Sequence, residues 1–184
     1  MDQHSHSKLS LFLMELIMAI MFFSLAAAVC VRLFVGAHSM SEQTKDLNNA
    51  TIWCQNLAEA FTGQNGDLVR IGELFPGSYI ASSADGDGCE GTLILFFDKD
   101  WERFSEVPSG AYYEAILEIK KSDADDVYSD VNTYGVSLEG KAAMGKIAVI
   151  YSGADTEIIP SIPEDEKIII LSDAVDVYLG KEEP

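Results

Sequence analysis

Positive charge is what this sequence has least of. It carries 12 Lys and Arg against 30 Asp and Glu, a formal net charge of -18. Phosphate contacts need clustered Lys and Arg, so the deficit argues against a nucleic-acid-binding protein. A solvated acidic surface, a cation or a basic partner remains compatible with it. Cysteine is scarce as well: Cys30, Cys54 and Cys89 share no short spacing of the kind that holds zinc. His4, His6 and His38 form no catalytic constellation, and no Gly-rich phosphate loop or nucleophile motif occurs. An enzyme is therefore not expected. No repeat of fixed period is present.

A third shortage is local. The run Leu9 to Val35 contains no proline and no glycine, and Leu16 to Val31 contains no charged residue. Such a run is long enough to cross a bilayer core as a helix at ~1.5 Å per residue. Asp2, Lys8, Glu15 and Arg32 cancel within residues 1–35, so the whole acidic excess lies beyond. Lys8 ahead of the run favours a cytoplasmic N-terminus. Three readings of the run compete. Ala26-Ala27-Ala28 offers small residues for a cleaved secretory signal. Cys30 preceded by Val29 fits a lipoprotein site poorly. A retained membrane helix is the favoured reading. Glu15 sets it apart, because a carboxylate in an apolar helix is costly and is by default a functional residue in need of a partner. The plain alternative is that Glu15 snorkels to the headgroups.

The helical pattern continues past Val35 to Phe61. Met40, Leu47, Cys54 and Phe61 recur every seven residues, and Ala37, Ala50, Leu57 and Ala58 widen the stripe. Polar residues, Asp46 among them, occupy the opposite face, and Gly63 is a plausible stop. The stripe suits packing on the domain that follows, and a coiled-coil dimer is the alternative. Beyond residue 62, Gly91–Phe97 reads as a strand, Asp98-Lys-Asp100 as a turn and Trp101–Phe104 as its hairpin partner. Ala111–Lys120, Ala142–Tyr151, Lys167–Leu171 and Asp173–Leu179 read as further strands. Asp67–Phe75 fits either a short helix or a strand. The expected class is α+β, a long N-terminal helix packed on a mainly antiparallel sheet. Its segments are residues 1–10, cytoplasmic; 11–35, transmembrane; 36–62, amphipathic helix; and 63–184, an extracytoplasmic β-rich domain.

The segment Leu11-Phe-Leu-Met-Glu-Leu-Ile-Met-Ala-Ile20, behind Lys8-Leu9-Ser10 as the end of a leader, resembles the N-terminus of the type IV pilin-like family, which includes minor pilins and the pseudopilins of type II secretion and competence and which has a short basic leader. That family has a peptidase cleavage point followed by a hydrophobic helix with Glu at its fifth mature position. Here the cut would fall between Ser10 and Leu11, which makes Glu15 the fifth residue. Ser10 stands where the family usually has Gly, and Leu11 where it usually has Phe. The resemblance implies a structural subunit of a type IV pilus, secretion or competence filament, with a prepilin peptidase, an inner-membrane assembly platform, membrane lipid and other pilin-like subunits as partners. It also implies that the freed, often methylated amine of Leu11 meets Glu15 of a neighbouring subunit. The alternative is a membrane-anchored extracellular binding or adhesion domain that never polymerises.

Two further features stand outside this reading. Cys54 and Cys89 would be free to pair in an oxidising compartment. Asp85, Asp87 and Glu90 lie in an acidic glycine loop whose oxygens suit calcium weakly, because the full EF-hand spacing is absent and an ordinary polar turn explains the loop. Asp123, Asp125, Asp126 and Asp130 form a second acidic cluster. No other cofactor is expected.

Overall fold

Nothing between Gln3 and Gly63 interrupts a helix, and the whole stretch forms one, α1. The computed structural model describes residues 3–82, 90–129, 138–153 and 158–181. The chain divides into two compact units, Met1–Lys45 and Asp46–Pro184. The first is the N-terminal part of α1. Within it the side chains from Ser10 onward are exposed.

The second unit begins with the last turns of α1. The helix ends because Asn65 (φ 52°) and Gly66 (φ 67°) both adopt the left-handed conformation, and the Gly66 N–H donates back to the Phe61 carbonyl at 2.9 Å. The helix thus ends at Gly63, as expected, and the left-handed turn just beyond it is made by Asn65 and Gly66. Gly66 cannot be replaced without strain, since a Cβ there would press on Ala143 and on the Phe61 ring. The segment that fitted either element is a helix, α2 (Leu68–Leu74). The Asp67 carboxylate decides it by accepting from the backbone N–H groups of Val69 (3.0 Å) and Arg70 (3.1 Å).

Five strands follow, β1 (Tyr79–Ser82), β2 (Gly91–Phe97), β3 (Tyr113–Asp123), β4 (Lys141–Tyr151) and β5 (Ile169–Gly180), with a short α3 (Ala124–Val127) between β3 and β4. Each pairs antiparallel with its neighbour in sequence, so the sheet is a five-stranded meander. The two segments read as separate strands over 167–179 are one strand, β5, whose register shifts opposite Val149 and Ile150. Trp101–Phe104 is not a strand. It contributes one bridge, Phe97 to Arg103, and the strands beside β2 are β1 and β3.

Alternation gives the sheet two faces. Leu93, Leu95, Phe97, Ala115, Leu117, Ile119, Ala143, Ile147 and Val149 form a core with Ala50, Cys54, Leu57 and Phe61 of α1 and Leu68 and Ile71 of α2. On the other face Ile94, Phe96, Ile116, Ala148 and Ile150 are covered by Phe104 and by a strap containing Ile158, Ile159 and Ile162. Carboxylates fasten that strap. Glu118 accepts from the Ile162 N–H at 2.8 Å, and Glu114 accepts from the Ile159 N–H at 3.3 Å and the Ser152 hydroxyl at 2.9 Å.

Glu114 is fully buried. Burial pushes its pKa up, and the hydrogen bonds from Ser152 and Ile159 oppose that only in part. The folded state thus holds a proton over a pH window in which the unfolded chain has released it. Its contribution to stability is fully present below the ordinary carboxylate pKa and is lost as pH rises through the raised folded value. Glu114→Gln keeps a carbonyl acceptor and removes the titration. Thermal melting across about pH 4 to 8 should therefore show a higher Tm than wild type at neutral pH, with the difference shrinking as pH falls.

Candidate assembly helix and the side chains that hold its base

From Leu11 to Val35 the large apolar side chains of α1 are 46–77% exposed, and none of that stretch is buried within the protein. Covering one such side chain stabilises by roughly 1.5–3 kcal/mol. A run of them is therefore suited to a surrounding of lipid or other apolar helices. The helix is long and apolar enough to cross a membrane. Its one hydroxyl between Glu15 and Arg32, that of Ser24, donates to the Ile20 carbonyl at 2.8 Å, so it brings no unsatisfied donor into an apolar surrounding.

Ser10, Leu11 and Glu15 all lie on this exposed helix, with Leu11 69% exposed. The Ser10–Leu11 peptide is inside the helix, which already starts at Gln3. Among the described residues no side chain forms an ion pair with Glu15. The carboxylate stands exposed, next to the charge-free stretch that begins at Leu16.

Within the second unit, Asp46 is the residue that sequence reasoning missed. Its carboxylate Oδ1 accepts from the Trp101 indole N–H and from the Tyr113 hydroxyl, both at 3.0 Å. The Trp101 and Tyr113 rings stack with centroids 4.0 Å apart, Trp101 packs against Phe97 at 5.8 Å, and Phe97 packs against Trp53 at 4.8 Å. The Tyr113 hydroxyl is held protonated, because burial and then its hydrogen bond to Asp46 push its pKa up. It therefore remains a donor.

The loop after β2 delivers Trp101 to this position. Asp98 Oδ1 accepts from the N–H groups of Asp100 (2.8 Å) and Glu102 (2.9 Å), which curls the chain into a turn. Trp101 is left with φ 67°, a conformation that costs a side-chain-bearing residue roughly 1–2 kcal/mol. The indole's stack and its bond to Asp46 offset that cost. This also explains why Trp101–Phe104 fails as a strand.

No protein-family model, curated protein or solved structure matches the chain.

The remaining candidates are placed as follows. Cys54 is buried in the helix–sheet core, where burial, and then the negative charge of Asp173, push its thiol up to about 11. It is a packed, protonated thiol at neutral pH. Cys89, Asp85 and Asp87 lie outside the described residues. Glu90 accepts from the Lys121 N–H at 2.9 Å, which gives it a structural role at the edge of β3. Asp123 pairs with Lys141 at 2.9 Å, Asp125 and Asp126 sit in the first turn of α3, and Asp130 lies outside the described residues. Among the described residues, no three His, Cys, Asp or Glu side chains are grouped to hold a metal ion.

Proposed function

We propose that the chain is a pilin-like structural subunit, a minor pilin or pseudopilin, that is inserted in a membrane through the N-terminal part of α1 and then assembled through the same helix into a filament of the type IV pilus, type II secretion or competence kind. The reading rests above all on one observation: a continuous exposed apolar helix carries a carboxylate at Glu15, where a passive anchor has no use for one. The antiparallel sheet packed on the C-terminal turns of that helix is compatible with it. In this reading the N-terminus is cytoplasmic, the β-rich domain is extracytoplasmic, and a prepilin peptidase and an inner-membrane platform act on the chain. Its role is structural rather than catalytic.

The mature N-terminus tests the reading. Intact-mass and N-terminal peptide analysis of the membrane-extracted protein should give a chain that starts at Leu11, with or without one added methyl group. A chain that retains Met1 points instead to a membrane-anchored binding domain that does not polymerise. A start near Val29 would mean an ordinary secreted protein.

A further inference from the structure

The exposed apolar run holds one basic residue as well as one acid. Arg32 lies 17 residues beyond Glu15, and the two are the only charged side chains between Leu9 and Val35. Because α1 is unbroken across this stretch, they stand ~25 Å apart along the axis and ~100° apart around it. They cannot meet within one chain. Both are exposed, and each would be costly to cover with apolar material alone.

We propose that Arg32 of one copy pairs with Glu15 of a neighbouring copy displaced by about that same ~25 Å along the bundle. The inference rests on the assembly role proposed above and deepens it by naming a partner for Glu15. Charge complementarity carries it: the two ions cancel one for one, and a guanidinium offers a carboxylate a bidentate contact. The angular offset suits a bundle in which each helix has neighbours on two sides. It then turns Glu15 toward the copy set deeper and Arg32 toward the copy set shallower. A stagger that brings Glu15 and Arg32 to apolar side chains leaves each ion unpaired, so the pair selects register, as one buried polar contact does in a coiled coil. The pairing also needs no freed amine at Leu11, which matters in a chain with Ser10 before the cut.

A charge exchange in the full-length protein tests this. Four chains are compared: wild type, Glu15→Arg, Arg32→Glu, and the double exchange. Each is assayed for retention in carbonate-washed membranes and for release of sedimentable assemblies by shearing. Both single exchanges should lower the sheared fraction at least ~10-fold, and the double exchange should recover it to within ~3-fold of wild type. Membrane retention should be unchanged throughout. A double exchange no better than Glu15→Arg, or an Arg32→Glu chain that assembles like wild type, overturns the pairing and leaves the subunit role standing. A wild-type chain that yields no sheared assembly overturns that role and the pairing with it.

Discussion

Glu15→Ala should leave the chain in the membrane and remove it from any assembled fraction. The two halves of the expectation have different causes. Insertion is governed by the transfer of the apolar run, and a charged residue opposes transfer by about 2.5–3.5 kcal/mol at the bilayer centre and by less near the ends. Replacing the carboxylate by a methyl group therefore makes insertion no worse. Assembly is governed by what the carboxylate meets. Leaving its cationic partner alone in an apolar surrounding costs about 3–5 kcal/mol. At 1.4 kcal/mol per tenfold, that is a loss of roughly two to four powers of ten in association. Glu15→Gln should fail in the same way, since it preserves shape and removes charge. Carbonate extraction reports the first half, and immunoblotting of sheared, sedimented material reports the second. Normal assembly of Glu15→Ala would defeat the proposed role of the residue, whichever cation was its partner.

What could be read from the residues was decided by the range of the interactions involved. Helix α1, β2, β3 and β4 announce themselves through uninterrupted local patterns, and the α+β class follows from them. The seven-residue stripe was only half informative. A 3.6-residue helix drifts ~20° per heptad, so by Leu47 the stripe has turned ~40° to one side of Phe61. The sheet covers the other side, where Leu57, Trp53 and Asp46 lie. Leu47 is accordingly 49% exposed and Met40 70% exposed, whereas Ala50, Cys54, Leu57 and Phe61 are buried. Residue type alone puts Asp46 on the polar face. Its spacing to Ala50, Cys54, Leu57 and Phe61, in steps of four and three, was the signal that places it under the sheet. The Trp101 turn was misread because its cause is the Asp98 side chain, bonded two and four residues ahead, and not any β-propensity. β1 escaped notice because four residues at a sheet edge carry too little pattern. The strand pattern of Ala111–Lys120 carries no signal that Glu114 is buried. Only the strap returning from residues 158–162 shows it to be buried.

Phe61→Ala should destabilise the β-rich domain more than any other single truncation in α1. The Phe61 side chain is fully buried and closes the end of the core from the last turn of the helix. Its ring lies over Gly145 of β4, where an added Cβ would come within 3.1 Å of Cδ2 and Cε2, and against Gly66, where an added Cβ would come within 3.1 Å of Cε2 and 3.3 Å of Cζ. The two glycines thus make room for the ring, and removing it opens a cavity between them. Phe→Ala in such a site costs about 3–5 kcal/mol, a large share of the 5–15 kcal/mol that keeps a typical domain folded. Followed by near-ultraviolet circular dichroism of the detergent-solubilised full chain, the domain's melting should fall by roughly 10–20 °C. Met40→Ala is the matched comparison. It removes a member of the same heptad stripe from an exposed position, and its effect on that transition should stay within about 0.5 kcal/mol. Equal effects from the two would mean that α1 does not dock through Phe61. Gly145→Val should reproduce the Phe61→Ala loss from the opposite side of the contact, because its side chain needs the space that the ring occupies.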